Sequence, residues 1–217
     1  MPGQTGQGVA GFVLAGGKSS RMGQDKAFVS WEGSTLLNRA LEATQAVASS
    51  TRIVGAKAKF VSYGSVIEDI FPERGPLGGI HAALRTSDRD LNLVLAVDLP
   101  LVSPALLEFL IECAQDAQYM ATVPRLEGGW EPLCAVYRRE FAQVAEMALK
   151  KGQNAIHRLF EDEGDSEGVC ASARAGVRAG VRAIDERELE AAGFPAGMFR
   201  NINTVLDLES CQDLESH

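Results

Sequence analysis

Residues 92–104 read Asn-Leu-Val-Leu-Ala-Val-Asp-Leu-Pro-Leu-Val-Ser-Pro and give the clearest indication of the fold in this chain. The aliphatic run 92–97 is typical of a strand that is buried on both faces, as in a parallel sheet. Asp98 ends the run. Ser103 then stands where a helix N-cap is preferred, and Pro104 follows at a position where a missing amide hydrogen has no cost. The segment therefore predicts a buried strand, an acidic turn and a helix.

The same alternation continues on both sides of this segment. Short apolar runs predict strands, and apolar residues at helical spacing predict helices between them. The predicted strands are 11–15, 52–55, 66–71 (strand or turn), 92–97, 120–123, 133–137, 169–171 and 181–184. The predicted helices are 36–47 (with an N-cap at Ser34 or Thr35), 80–85, 104–114, 139–150, 155–161 and one from 207 onward, with 75–79 as a loop. This order indicates an α/β fold with a mostly parallel sheet and helices on both faces, and it places ligands beyond the carboxyl ends of the strands.

Composition limits the classes of function that need to be considered. The chain has 217 residues and a net charge of -8, which disfavours a protein that binds nucleic-acid backbones. We find no apolar run long enough for a membrane span and no signal peptide, so we expect a cytoplasmic protein. None of the four cysteines forms a C-x-x-C pair, which indicates free thiols in a reducing compartment. We expect a flexible tail at 1–8 and one domain over 9–217.

The segment 14–26 carries the chemistry and reads Leu-Ala-Gly-Gly-Lys-Ser-Ser-Arg-Met-Gly-Gln-Asp-Lys. Gly16 and Gly17 let the backbone approach a phosphate closely, and consecutive amide groups there can surround an anion. Three cations lie in the same segment, namely Lys18, Arg21 and Lys26. This combination predicts a site for a nucleoside triphosphate. The segment is neither a G-x-x-x-x-G-K-[ST] loop nor a G-x-G-x-x-G fingerprint, which argues against the common NTPase and dehydrogenase classes.

The same segment resembles the L-A-G-G-x-S-x-R-M-G-x-D-K motif of the molybdenum cofactor guanylyltransferase family, which is part of the nucleotidyltransferase superfamily, and matches it at every fixed position. Four further stretches are similar to that family's motifs, in the same order along the chain. They are 75–80 (G-P-L-x-G), 98–100 (D-x-P), 131–137 (P-L-x-A-x-Y) and 201–204 (N-x-N-T). One glycine loop alone would be a weak signal, whereas five ordered motifs are specific.

The resemblance implies a three-layer Rossmann-like nucleotidyltransferase fold. It also implies an activity, the transfer of GMP from GTP to the phosphate of molybdenum-molybdopterin. The products are the molybdenum guanine dinucleotide cofactor and pyrophosphate, and Mg²⁺ is the expected cofactor. The acceptor phosphate is already ionised near neutral pH, so this transfer needs positioning and charge neutralisation more than a protein base. A carboxylate at the end of a buried strand suits Mg²⁺, which binds through one or two carboxylates plus substrate phosphates.

The resemblance also assigns roles to individual residues. The nucleotide-binding set is Leu14, Ala15, Gly16, Gly17, Lys26, Asp69 and Asp98, with Asp69 on the guanine side and Lys26 at the phosphates. The acceptor-binding set is Arg21, Gly23, Gly78, Asn201 and Asn203. The catalytic set is Arg21, Lys26 and Asp98, and Asp98 is the expected Mg²⁺ ligand.

Three positions depart from the family pattern. Gly55 stands where the family often has an asparagine at the end of the second strand. Asn154 stands where the family tends to carry an arginine toward the acceptor, and His157 or Arg158 is a candidate replacement for it. Val205 replaces the proline of the last motif. These departures bear on the acceptor more than on the nucleotide.

Two other functions compete with this interpretation. A related nucleotidyltransferase would use CTP, as molybdopterin cytidylyltransferases do, or another acceptor such as a corrin or deazaflavin precursor. The cytidylyltransferases usually have Ala-Ala-Gly where this chain has Ala15-Gly16-Gly17, and in the family account the glycine leaves room for the guanine 2-amino group. The second alternative is a non-catalytic GTP-binding module, which would not need Asp98. A molybdenum-insertion enzyme or a target-enzyme chaperone is the expected transient partner.

Overall fold

The computed structural model describes residues 8–16, 25–116, 118–161, 180–202 and 207. The strands are β1 (Val9–Leu14), β2 (Ser30–Trp31), β3 (Ser34–Thr35), β4 (Ser50–Val54), β5 (Val66–Ile67), β6 (Leu91–Ala96), β7 (Ala121–Leu126), β8 (Gly129–Trp130), β9 (Cys134–Arg138) and β10 (Val181–Asp185). The helices are α1 (Leu36–Val47), α2 (Lys57–Phe60), α3 (Pro76–Thr86), α4 (Pro104–Cys113), α5 (Phe141–Lys150), α6 (Arg158–Glu161) and α7 (Glu186–Ala191). Two 3-10 helices span Lys26–Phe28 and Ala196–Phe199.

The main sheet of the described residues has eight strands in the order β10-β7-β9-β6-β1-β4-β5, with β8 paired to β7. β1 lies at its centre and pairs in parallel with β4 on one side and β6 on the other. β8 and β9 run against the other strands. The predicted α/β class with a mostly parallel sheet is therefore confirmed, with β9 as an antiparallel strand inside it.

The sheet is covered on both faces, which gives the expected three layers. On one face α1 and α4 pack over the sheet, around Leu37, Leu93 and Leu107. On the other face α3 and α5 pack together, around Ile80 and Phe141. Both central strands, β1 and β6, are buried along their whole length. Each fully buried leucine or isoleucine contributes about 1.5–3 kcal/mol relative to an exposed one, so these two cores supply the main stabilisation.

Helix starts follow the sequence in two cases. The Thr35 hydroxyl accepts a hydrogen bond from Asn38 N at 3.2 Å and begins α1. The Ser103 hydroxyl accepts one from Leu106 N at 3.3 Å and begins α4, with Pro104 in its first turn. These side chains satisfy amide groups that a helix leaves without partners at its start.

Other local predictions need correction. The predicted loop 75–79 is wrong after its first residue, because Pro76 begins α3 and the two following glycines are buried inside the helix. The candidate strand 66–71 is reduced to the two residues of β5. Three short elements were not predicted, namely α2, α7 and the β2–β3 hairpin. Such short segments are stabilised by tertiary contacts rather than by their own sequence pattern.

The predicted strand 169–171 and nearly all of the predicted helix from 207 lie outside the described residues. Over the described ranges, no helix is both long enough and apolar enough to cross a membrane.

Candidate functional site

Three neighbouring strands end side by side at one edge of the sheet. Ala15 N donates to Val54 O at 2.9 Å, and Val97 N donates to Leu14 O at 3.2 Å. These bonds continue the pairing of β4, β1 and β6 beyond the strands. Gly55 follows β4, Ala15-Gly16 follows β1 and Val97-Asp98 follows β6. The structure thus brings the start of the glycine segment and the Asp98 turn together at this carboxyl edge.

Asp98 is the most unusual polar residue of this edge. Its Oδ2 lies 3.6 Å from Lys26 Nζ, while its Oδ1 is buried and has no hydrogen-bond partner among the described residues. Desolvation raises the pKa of the Asp98 carboxyl above its ordinary value, and the charge of Lys26 offsets part of this effect. A buried carboxylate oxygen without a donor is costly unless a ligand completes it. Asp98 is therefore suited to hold a cation.

Lys26 is held toward Asp98 by its own short helix. Asp25 caps the 3-10 helix Lys26–Phe28, with its carboxylate accepting from Ala27 N at 3.2 Å. The other oxygen of Asp25 lies 2.7 Å from Lys59 Nζ on α2. Ala27 is fully buried, which fixes the helix against the core. The position of the lysine thus depends on α2, an element that the sequence pattern did not predict.

A second carboxylate lies beside the first turn of α3. A Cβ placed on Gly79 would lie 3.6 Å from Asp69 Oδ1 and 3.4 Å from Leu14 Cδ2. A Cβ on Gly78 would lie only 3.0 Å from Phe71 O. The glycines therefore allow α3 to approach the segment that carries Asp69. Partial burial raises the pKa of the Asp69 carboxyl, although the residue as a whole is exposed.

The final predicted motif reaches the same edge through its backbone. Ile202 N donates to Asp98 O at 2.9 Å, and the Ile202 side chain is fully buried. Asn201 precedes it and is exposed. The backbone of Asn201 is thus one residue away from this contact with Asp98. Four predicted site residues lie outside the described part of the chain, namely Gly17, Arg21, Gly23 and Asn203.

Glu131 belongs to this site and was not among the predicted residues. Leu95 pairs with Cys134 in the antiparallel ladder of β6 and β9, and Ala96 N donates to Leu133 O at 2.8 Å. Beyond this bond both chains leave their strands, and Glu131 N donates to Pro124 O at 2.9 Å. Burial and the negative charge of Asp98 raise the pKa of Glu131 to about 7. Its sequence signal was its position directly before the Pro-Leu-x-Ala-x-Tyr motif.

The structure describes the surroundings of two positions that depart from the family pattern. A Cβ on Gly55 would lie 2.8 Å from Phe60 Cε2, so the buried Phe60 ring occupies the space into which an asparagine would extend. Asn154 is exposed just before α6. α6 packs near Glu131, since the Phe160 and Trp130 rings are 5.2 Å apart.

These features are typical of the class of α/β proteins that bind a nucleotide at the carboxyl edge of the sheet. A nearby lysine can meet phosphates there, and a strand-end carboxylate can meet a cation. In the described ranges, no group of three or more histidine, cysteine, aspartate or glutamate side chains forms a metal site of its own. Mg²⁺ in proteins commonly takes part of its ligands from substrate phosphates.

Comparison with known proteins gives the family. Residues 11–167 match the family described as MobA-like NTP transferase domain, and the chain belongs to that family of nucleotidyltransferases. A molybdenum cofactor guanylyltransferase from Desulfosudis oleivorans is 31% identical over 207 residues, which is 94% of each chain. A probable molybdenum cofactor guanylyltransferase from Pyrococcus furiosus is 34% identical over 160 residues, covering 70% of this chain and 80% of the relative.

A solved structure of a similar protein supports the same family. The crystal structure of molybdopterin-guanine dinucleotide biosynthesis protein A from Archaeoglobus fulgidus matches with a TM-score of 0.74 and 28% identity. The match covers 95% of this chain and 98% of that chain. The family and fold expected from the five sequence motifs are thereby confirmed.

Proposed function

We propose that this chain transfers GMP from GTP to the phosphate of molybdenum-molybdopterin and releases pyrophosphate. The observation that carries the proposal is the buried Oδ1 of Asp98, which lies beside Lys26 and has no hydrogen-bond partner among the described residues. A relative that matches 94% of this chain is a molybdenum cofactor guanylyltransferase. An acceptor phosphate oxygen attacks the α-phosphorus of GTP. The bond from the α-phosphorus to the bridging oxygen of the β-phosphate breaks, and pyrophosphate leaves with its electron pair.

The Asp98 carboxylate is a suitable ligand for a divalent cation such as Mg²⁺. Oδ1 of Asp98, which has no hydrogen-bond partner in the described ranges, is a hard ligand near the end of β6, where substrate phosphates would supply further oxygens. When bound, the cation would neutralise negative charge on the phosphates during transfer. Lys26 would lie against the same phosphates and hold them beside Asp98, 3.6 Å from its Nζ in this structure.

The guanine base would lie between β1 and α3. The Asp69 carboxylate, next to Gly79 and Leu14, can accept hydrogen bonds from the N1–H and 2-amino groups of guanine. Ala15 and Gly16 would bring the backbone against the nucleotide. Gly17, Arg21, Gly23, Gly78, Asn201 and Asn203 keep the phosphate and acceptor roles that the family motifs assign to them.

The setting of the reaction follows from the same proposal. Cys113 and Cys134 are free thiols, which suits the reducing cytoplasm. A molybdopterin product is labile, so a molybdenum-insertion enzyme or a target-enzyme chaperone would receive it by transient contact. Co-purification at native levels tests this partnership, and recovery of no protein of the cofactor pathway would contradict it.

The test of the function is pyrophosphate release with Mg²⁺ and each of GTP, CTP, ATP and UTP, with and without molybdopterin. We expect release only with GTP and molybdopterin together. Release with CTP would contradict the base assignment, and GTP binding without release would favour a non-catalytic module.

Asp98→Asn provides the matched variant for this assay. Because burial already disfavours the charged form of Asp98, the neutral amide should keep the fold, while turnover falls by at least about 100-fold, or roughly 2.7 kcal/mol of transition-state stabilisation. Circular dichroism checks the fold. Full turnover by a folded Asp98→Asn protein would remove Asp98 from the mechanism.

A further inference from the structure

Residues 69–72 carry the Asp69 carboxylate and have little backbone support of their own. They lie between β5 and α3, and no backbone-to-backbone hydrogen bond joins them to another described residue. On the first turn of α3, a Cβ added to Gly79 would lie 3.6 Å from Asp69 Oδ1, so the helix passes close to this carboxylate. The position of Asp69 therefore depends on how residues 69–72 pack against α3.

His81 makes the next contact between α3 and this segment, through the ring of Phe71. The two ring centroids are 5.1 Å apart, and the ring planes meet at 67°. Aromatic rings prefer this edge-to-face arrangement, which also sets their relative orientation. Phe71 is partly buried against the cluster that α3 and α5 share. The contact thus ties the segment to the helix two residues beyond Asp69.

His81 is a costly residue for this buried position. Its side chain is only 2% exposed, and neither ring nitrogen has a hydrogen-bond partner among the described residues. Nε2 lies 3.7 Å from Glu146 Oε2 on α5, which is beyond ordinary hydrogen-bond distance. A buried donor without a partner costs free energy that an apolar side chain would not. Filling the core therefore does not explain a histidine between α5 and Phe71.

We propose that His81 is a positioning residue for base recognition, because its ring, packed between α5 and Phe71, sets the orientation in which Asp69 meets guanine. This inference rests on the proposed contact between Asp69 and the base. The N1–H and 2-amino groups must reach one carboxylate together, and paired hydrogen bonds of this kind depend on precise geometry. A displaced Asp69 should therefore weaken the binding of GTP more than that of ITP, whose base lacks the 2-amino group.

The experiment measures the Kd of the full chain for GTP and for ITP by isothermal titration calorimetry, with Mg²⁺ and without an acceptor. The deciding quantity is the ratio of the Kd for ITP to the Kd for GTP. Asp69→Asn shows how much of this ratio the carboxylate controls. We expect His81→Leu and Phe71→Leu each to lower the ratio by at least about threefold, the effect of weakening one neutral hydrogen bond.

Leu84→Ala is the control for a loss of stability alone. Leu84 is fully buried one turn further along α3, beyond the contact between His81 and Phe71. Its truncation should lower the thermal midpoint, because it leaves a cavity, and should change the ratio by less than about 1.5-fold.

A role that acts through Phe71 has two further consequences. The double variant of His81→Leu with Phe71→Leu should lower the ratio no more than either single variant, because both remove the same contact. His81→Phe keeps a ring against Phe71 and should restore most of the ratio. A ratio in a stable His81→Phe protein as low as that in His81→Leu would overturn the role of the ring, as would additive losses in the double variant.

The outcomes separate this inference from the proposed function. A lower ratio in Asp69→Asn, with no change in His81→Leu and Phe71→Leu, overturns the role of His81 and keeps the guanine contact. An unchanged ratio in Asp69→Asn overturns that contact and this inference with it, whereas GMP transfer is tested separately by pyrophosphate release. Equal weakening of GTP and ITP in His81→Leu also overturns the inference, because a general structural defect has that effect.

Phe71→Leu covers the case in which His81→Leu does not fold, as checked by circular dichroism. It removes the same ring contact from the partly buried side, where the fold is less sensitive to substitution. An unchanged ratio in a folded Phe71→Leu protein overturns the inference by itself.

Discussion

Gly16 offers a sharp test of how the base is selected, because the protein itself leaves room for a side chain there. A Cβ on Gly16 would lie 3.8 Å from Gly55 Cα and 3.9 Å from Val54 O, which are ordinary van der Waals contacts. Its φ is not in the left-handed region that favours glycine. Gly16→Ala should therefore leave the free energy of unfolding within about 1 kcal/mol of wild type, or raise it slightly by restricting the unfolded chain.

Any substantial loss of function in Gly16→Ala must then come from the nucleotide. If Gly16 makes room for the guanine 2-amino group, a methyl group there should lower kcat/KM for GTP by about 10–100-fold, the 1–3 kcal/mol range for one methyl group in a pocket. ITP, whose base lacks the 2-amino group, should be affected much less. The ratio of kcat/KM for GTP to that for ITP is thus the decisive quantity, measured by pyrophosphate release with molybdopterin as acceptor.

Gly197→Ala is the control, since Gly197 lies in the 3-10 helix Ala196–Phe199 and also has open space around its Cβ position. Gly197→Ala should leave kcat/KM unchanged for both GTP and ITP. Equal losses with GTP and ITP in Gly16→Ala would refute the argument from the 2-amino group, and unchanged kinetics with both would show that the base does not approach Gly16.

Three further predictions concern stability. Burial lowers the pKa of His81, whose Nε2 lies 3.7 Å from Glu146 Oε2. The unfolded state therefore binds more protons than the folded state as the pH falls below the ordinary value of 6.5. The thermal midpoint should drop between pH 7.5 and 5.5, and it should drop less in His81→Leu. Gly55→Asn should reduce the free energy of unfolding in urea by about 1–3 kcal/mol, because Phe60 fills the space, and it should cost less than that when introduced into a Phe60→Ala protein. Gly11→Ala should lose about as much, because its Cβ would collide with a buried threonine of α1.

Each of these has a result that would contradict it. The same fall in midpoint in wild type and His81→Leu would mean that the buried imidazole is not linked to acid unfolding. Full stability of Gly55→Asn would show that the asparagine side chain adopts a rotamer that avoids Phe60. Unchanged stability of Gly11→Ala would show that the threonine side chain of α1 moves aside for the added methyl group.

The sequence predicted the elements that depend on local pattern. The aliphatic run before Asp98, the caps at Thr35 and Ser103 and the loop after Leu14 each carry their own signal, because burial, capping and close approach of the backbone restrict residue types at those places. Ordered motifs then predicted the family that the relatives confirmed. Asp98 was identified correctly as a polar end to a buried strand.

The tertiary structure decided what depends on pairing between distant segments. The apolar pattern of β9 reads equally well in either direction, so its antiparallel register, and with it the approach of Glu131 to Asp98, required the folded sheet. The clash that a side chain on Gly55 would make with Phe60 depends likewise on the packing of α2. Local sequence fixes how each segment can fold and which side chains its ends carry, but only long-range pairing sets which of those side chains meet.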